Sequence, residues 1–303
     1  MTKRTIIYAV GFVILWNSGF VGAEYGLPYT GPFTLLFWRY AMLALLLFAY
    51  LIIRRRFWWP GWSKAGTHML VGVLAHGVWL SCVLLALDQE VPAGIVALVV
   101  ALQPLATGAF SGLVVGEPTP LHRWLGLIIG FAGVAIIVLS RMDINEPASV
   151  FGYLIPLGSV IAITVASLIQ RRMEVMEEKM ILPVDLEMFY QCMATALVTI
   201  VPAFFLENFT AHWEPPFIYT MIWLILAVSL GSYLLMWLLL KQESAPRVAS
   251  LFYLGPPVTM LMTWIFFGDK LQSMDILGLL VVLAGILLTQ MKLKSVKIPK
   301  KST

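Results

Sequence analysis

The chain has 303 residues, of which 60% are hydrophobic and only 12% charged, with a formal net charge of +4 and a mean hydropathy of +0.89. A soluble domain carries roughly half apolar and about a quarter charged residues, so this composition excludes an ordinary soluble fold and calls for an apolar solvent such as a bilayer. The basic balance does not indicate a nucleic-acid partner either, because the charges fall in short loops between apolar runs and not on one amphipathic face.

Crossing the hydrocarbon core takes about 20 mostly apolar residues. Ten such runs occur in chain order: Thr5–Ala23, Phe33–Ile53, His68–Leu87, Pro92–Val115, Leu121–Ser140, Val150–Gln170, Asp185–Leu206, Pro216–Leu240, Ser244–Phe267 and Ser273–Met291. They are continuously apolar, without period-two alternation, so helices and not barrel strands are expected. Lys3-Arg4, the run Ile6 to Trp16 and Val21-Gly22-Ala23 together mimic a signal peptide. Its cleavage would remove one helix and spoil the repeat described below, so the segment is read as retained. Cys82 and Cys192 both lie in apolar runs, without metal-ligand spacing, and are read as small buried hydrophobes.

Loop lysines and arginines concentrate on the cytoplasmic side. With the N-terminus inside, that side collects 17 of the 20 basic residues: 3 and 4; 54, 55, 56 and 64; 123; 171, 172 and 179; 241 and 247; and 292, 294, 297, 300 and 301. Only Arg141 and Lys270 fall outside, and Arg39 lies within a span. Both termini are therefore expected in the cytoplasm. Trp58, Trp59 and Trp62 flank the first inner loop at the depth of an interfacial aromatic belt.

Sliding the sequence on itself by 152 residues aligns helices two to five with helices seven to ten. Ala93, Val96, Ala97, Leu102, Pro104, Thr107, Gly116, Leu125-Gly126-Leu127 and Ala132-Gly133 meet identical residues at Ala245, Val248, Ala249, Leu254, Pro256, Thr259, Gly268, Leu277-Gly278-Leu279 and Ala284-Gly285. Phe37-Trp38 likewise meets Phe189-Tyr190. Leucine and valine identities recur by chance in apolar segments, so the glycines, the prolines and the acidic pair Glu117/Asp269 carry the signal. An odd number of spans per half inverts the second half relative to the first, which is the inverted-repeat plan of secondary transporters. The expected fold is thus an all-α membrane protein of ten transmembrane helices as a 5+5 inverted repeat. Its parts are a first repeat at 1–141, a periplasmic connector at 142–149, a second repeat at 150–291 and a basic cytoplasmic tail at 292–303.

Polar groups at membrane depth are costly and mark candidate sites. Trp16 and Asn17 lie near the middle of the first helix, where an amide needs a partner in another helix, water or a ligand. Arg39, about two turns into the second helix, is read as a structural arginine, snorkelling or paired with Glu24, Asp88 or Asp269; the other reading is an anion-attracting group at the outer mouth. His76 can donate, accept and titrate, with Trp79 one turn away on the same face; cavity duty and interhelical hydrogen bonding both fit it. Gln103-Pro104 and Gly255-Pro256-Pro257 hold matching mid-span positions. Proline there frees a backbone carbonyl, and paired interruptions point to a transport site, the bland reading being a kink without ligand. Tyr233 and Tyr253 are further candidates. Glu117 and Asp269 follow glycine at span ends, where helix-end hydrogen bonding is expected and gating is the alternative. Gly126, Gly130 and Gly133 share one face of the fifth helix, as close packing requires.

The pattern of proline, apolar run, "GE" or "GD", then "LGL…AG" occurs twice, at 104–134 and 256–286. With "WNSGF" in the first helix and the arginine of "FWRY" in the second, the chain resembles the EamA branch of the drug/metabolite transporter superfamily over nearly its whole length. The resemblance implies ten helices with both termini inside, a central cavity between the halves, and export of metabolites such as amino acids; in helix layout the chain is most similar to bacterial aromatic amino-acid exporters. Ile161-Ala162-Ile163-Thr164 departs from the tryptophan-containing pattern of the sixth helix and puts one aromatic wall in doubt. Relatives of this kind carry amino acids, sugars, nucleotide sugars and drugs, so membership leaves the substrate open.

No Walker motif, catalytic constellation or metal cluster is readable, so neither an enzyme nor a primary pump is expected, and no cofactor. The absence of a mid-span Asp or Glu argues against obligatory proton exchange through a membrane carboxylate. The expectation is a secondary transporter, multi-pass in the cell inner membrane. It would export a small amphipathic metabolite such as an amino acid through a cavity lined from helices one, three, four, six, eight and nine. Its partners would be the small-molecule substrate and the lipid bilayer; the chain would be a monomer or a homodimer. Efflux of hydrophobic or cationic drugs is the alternative, and a non-transporting membrane protein the distant one.

Overall fold

The computed structural model describes residues 3–116, 120–141, 147–176, 178–243, 248 and 250–290. Among these residues all regular structure is helical, apart from an isolated bridge between Thr30 and Ala211. The helical segments are α1 (Lys3–Gly26), α2 (Pro32–Ile53), α3 (Trp62–Asp88), α4 (Ala93–Val114), α5 (Leu121–Arg141), α6 (Pro147–Met176), α7 (Val184–Glu207), α8 (Pro215–Leu240), α9 (Leu251–Phe267) and α10 (Ser273–Gln290). The first eight contain runs long and apolar enough to cross a bilayer, whereas α9 and α10 are shorter apolar helices. Most of the stretch expected to open the ninth span, Glu117, most of the 142–149 connector and the basic tail lie outside the described residues.

The surface of the bundle is apolar. Ile53, Leu113 and Phe205 are 79%, 74% and 74% exposed, an arrangement that water penalises and hydrocarbon does not. Local chemistry sets the helix ends. Pro32 and Pro215 stand in the first turns of α2 and α8, where the missing N–H costs nothing. The Glu207 carboxylate at the end of α7 accepts from the backbone N–H groups of Phe33 (2.9 Å) and Thr34 (2.6 Å), capping α2 from a distant part of the chain. Gly116 and Gly268 end α4 and α9 in the left-handed conformation, at φ 74° and 76°, which glycine adopts without a Cβ penalty. At the end of α9 the Gly268 N–H meets the Trp264 carbonyl (3.1 Å) and the Asp269 N–H meets that of Thr263 (3.5 Å), while among the described residues the Asp269 Oδ2 is buried without a hydrogen-bond partner. Arg141 joins α5 to α10 through the buried Asp275, which also accepts from the Gln272 N–H (2.7 Å).

The packing relates the two halves of the chain. α2 lies along α7, α5 along α10, and α4 meets α9. The contact of α3 with α6 is matched by that of α8 with α1, and the contact of α4 with α6 by that of α9 with α1. Interruptions of the helices follow the same correspondence. π-Helical turns occupy Val73–Val78 in α3 and Trp223–Gly231 in α8. α4 breaks between Val100 and Gln103, and α9 begins with a tight 3₁₀ turn, Leu251–Leu254, before Gly255. Each such turn redirects backbone carbonyls and side chains, and π-turns concentrate at functional sites. The π-turns have no signature in hydropathy, and the sequence reading did not include them.

Candidate functional site

These four interrupted helices surround a cavity of about 630 Å³, within the range of small-molecule sites. Its wall includes Trp16 and Asn17 from α1, His76 and Trp79 from α3, Gln103 and Pro104 from α4, Tyr233 from α8, and Tyr253, Gly255 and Pro256 from α9. Apart from Pro257, the residues singled out from the sequence as substrate-facing or helix-breaking therefore lie on one surface, contributed by both halves. α6 adds Ile163, Ser167 and Gln170; α7, which was not expected in the wall, adds Val184, Glu187, Met188 and Gln191. The cavity extends toward the end of the bundle that carries the α2–α3 and α6–α7 connections. At the opposite end the Glu207 cap, the Thr30 hydroxyl on the Thr210 carbonyl (2.9 Å) and the Trp38–Trp213 and Trp213–Phe217 ring contacts tie α2 to the α7–α8 connection.

Trp16, Phe20, Trp79, Tyr233, Phe252 and Tyr253 stand in the wall. Trp16 stacks on Trp79 at 6.3 Å between ring centres and meets Tyr233 and Phe252 edge-on at 5.8 and 5.1 Å. The Trp79 indole N–H is buried and, among the described residues, without an acceptor, so it presents an open donor at the cavity. The departure in α6 does remove an aromatic there: Ile163 stands in the wall, and the rings come from α1, α3, α8 and α9.

The polar groups divide by what they already hold. Asn17 is committed to structure: its amide donates to the Val13 carbonyl (2.7 Å) and its oxygen accepts from Thr259 (3.1 Å), pinning α1 to α9. Gly255 makes that approach feasible, since a Cβ there would lie 3.0 Å from the Asn17 oxygen. Gln103, at the start of the second segment of α4, donates to Thr107 and to Ser167 of α6, each at 3.2 Å. His76 is stacked on Tyr40 at 5.4 Å and bonded to Gln191 Oε1 at 3.1 Å.

Arg39 corrects an expectation. It neither snorkels nor pairs with Glu24, Asp88 or Asp269; it is 7% exposed and donates from Nε (3.2 Å) and Nη2 (3.0 Å) to Ser229 Oγ. Ser229 lies in the π-turn of α8, which places that hydroxyl within reach. Arg39 lines a small pocket of about 50 Å³ that shares Trp16, His76, Trp79 and Tyr233 with the main cavity. Asp269 is remote from both and lines a separate hollow with Arg141, Lys270 and Asp275. Glu117 lies outside the described residues.

Glu187 is the residue the sequence reading missed. It stands in the first turn of α7, where a carboxylate reads as interfacial. Its spacing of four from Gln191, one helical turn on the same face, was the available signal. Its Oε1 accepts from Gln191 Nε2 (2.8 Å) and Gln170 Nε2 (3.2 Å).

The fold and the cavity define a class, a polytopic helical membrane protein with an internal solute-sized chamber. The sequence signature of the EamA-like transporter family matches residues 3–139 and again 150–291, and the chain belongs to that family. It is similar to an uncharacterized transporter, YvbV, of Bacillus subtilis, at 25% identity over 97% of this chain and 94% of that protein. An uncharacterized transporter of Archaeoglobus fulgidus is also 25% identical, over 96% of this chain and 99% of its own length. An uncharacterized inner membrane transporter, YedA, of Escherichia coli K12 is 33% identical, over 41% and 40% of the two chains. A solved crystal structure superposes with a TM-score of 0.65 at 18% identity, covering 96% of this chain and 99% of that one, which is a likeness of fold.

Proposed function

We propose that this protein is a secondary transporter of the inner membrane that exports a small amphipathic metabolite, such as an amino acid, by alternating access. Ten spans form two inverted five-helix repeats, at 1–141 and 150–291, with the connector in the periplasm and both termini in the cytoplasm. The observation that carries the reading is a chamber whose walls come from both halves. The helix correspondences across the halves and the paired interruptions in α3/α8 and α4/α9 support it, since sites of this kind lie between repeats at broken helices.

Trp16, Trp79, Tyr233 and Tyr253 would hold the apolar body of the solute, and His76 and Gln103 its polar groups. Asn17, Pro104, Gly255 and Pro256 would shape the chamber, with Arg39 at its narrow end. Efflux of hydrophobic cations is a second reading, favoured by the aromatic faces together with the Glu187 carboxylate. Export is tested in cells. Expression should raise the tolerated concentration of a toxic amino-acid analogue severalfold and speed loss of preloaded label. Increased accumulation of the analogue would reverse the assigned direction. Resistance to unrelated cationic dyes without resistance to any amino-acid analogue would favour the second reading.

A further inference from the structure

A chain of polar contacts runs through Glu187, its His68 link a 3.4 Å approach and not a hydrogen bond. The Met180 carbonyl contacts His68 Nε2 (3.0 Å), and His68 Nδ1 lies 3.4 Å from Glu187 Oε1. Glu187 Oε1 accepts from Gln191 Nε2, and Gln191 Oε1 meets His76 Nε2 in the cavity wall. The chain runs from the connection before α7 to the middle of α3.

The polarity of this chain follows from which groups can donate. A backbone carbonyl only accepts, so His68 Nε2 must carry a hydrogen. A neutral imidazole has one N–H, which would leave His68 Nδ1 as a bare lone pair. That nitrogen belongs to a side chain only 2% exposed, and without a proton it has no hydrogen-bond partner. It faces a carboxylate oxygen. Two acceptors facing each other repel, and an unpaired buried polar atom such as His68 Nδ1 is costly. One proton between them turns the repulsion into a charge-assisted hydrogen bond. Glu187 Oε1 already accepts from two amide N–H groups, and an imidazole is intrinsically more basic than a carboxylate, so the proton belongs on His68.

We propose that His68 and Glu187 form a proton-binding site at the edge of the cavity beside the α6–α7 connection, with the proton on His68 Nδ1. Lys64 stands one turn before His68 on α3, and several other charged groups nearby have partners of their own. Asp185, half a turn before Glu187, is bonded to Arg56 at 2.7 Å. Arg171 on α6 faces Glu174 at 3.8 Å, and Arg39 on α2 is bonded to Ser229. Tyr190 on α7 donates to the Trp58 carbonyl (3.1 Å). His76 on α3, Tyr40 on α2 and Tyr233 on α8 form the far, cavity side of the chain. Lys179 lies next to Met180 in the turn before α7. Among the described residues, Glu187 is thus the carboxylate facing His68. The site deepens the transporter reading by assigning the group on which a proton gradient would act, and its test requires no transported solute.

The test is solid-state NMR of the full chain in lipid at neutral pH, with nitrogen-15 in its four histidines. His68→Asn identifies the resonances of residue 68 by their loss. In the wild type both ring nitrogens of His68 should be protonated. In Glu187→Gln, which is isosteric, the new side-chain amide donates to Nδ1, and His68 should become neutral with only Nε2 protonated. A His68 whose Nδ1 is unprotonated in the wild type would overturn the proposal. So would a doubly protonated His68 that stays unchanged in Glu187→Gln.

Discussion

Gly285→Val should abolish most of the folded protein, or lower its melting temperature in detergent by many degrees. A Cβ at 285 would lie 2.6 Å from the Gly126 carbonyl oxygen and 2.8 Å from the Gly130 nitrogen. Both obstacles are backbone, so no rotamer change relieves them, and α5 must move away from α10. Gly278 is as constrained against the Gly133 carbonyl, at 2.6 Å, and Gly133 against the Gly278 carbonyl, at 2.7 Å. Overpacking in a filled interior costs about 1–3 kcal/mol, occasionally more. In a membrane, where close helix contact itself drives association, that loss has little to offset it. Gly66→Ala is the control, because nothing lies within 4 Å of a Cβ at 66. It should leave the melting temperature unchanged or raise it slightly, given alanine's helix propensity. Equal stability of Gly285→Val and wild type would contradict the observed α5–α10 contact.

His76→Ala should lower transport efficiency tenfold or more without comparable loss of stability. The substitution removes the hydrogen bond to Gln191 and the stack on Tyr40. A hydrogen bond is worth about 0.5–1.5 kcal/mol and an aromatic contact of this kind about 0.5–1.5 kcal/mol, and each 1.4 kcal/mol is about a factor of ten. The ring borders a cavity, so its loss enlarges the chamber without opening a void in a dry core. The melting temperature should therefore stay within a few degrees of wild type. His76→Gln restores a donor toward Gln191 and should recover part of the activity, which a purely steric role would not explain. Unchanged uptake kinetics in His76→Ala would remove the residue from the site.

How far the sequence revealed this arrangement depended on contrast. Asn17, His76 and Gln103 stand out because a polar group surrounded by twenty apolar residues has few reasons to be there. Pro104 and Pro256 announced the breaks in α4 and α9 because proline disrupts a helix by its covalent structure. Glu187 escaped because its place, four residues into α7, is where carboxylates ordinarily meet water; only the depth of the cavity brings it into the wall. The π-turns of α3 and α8 escaped for a different reason. They are a property of backbone hydrogen bonding, and Val73–Val78 is as apolar as its neighbours apart from His76. Arg39 is legible as an arginine within a span, but the expectation there is snorkelling or a carboxylate partner. Ser229 was not a visible candidate, because a serine in an apolar helix carries no signal until the π-turn places its hydroxyl.

The account rests on solute passing through the chamber between the halves, and uptake by proteoliposomes tests it most directly. Purified protein is reconstituted and given labelled amino acids and organic amines, alongside protein-free vesicles and the His76→Ala variant. The expected result is saturable accumulation of at least one solute by the wild type, above protein-free vesicles and strongly reduced in the variant. A solute that binds, raising the melting temperature, yet never accumulates in wild-type vesicles would contradict the account and leave a receptor or scaffold in its place.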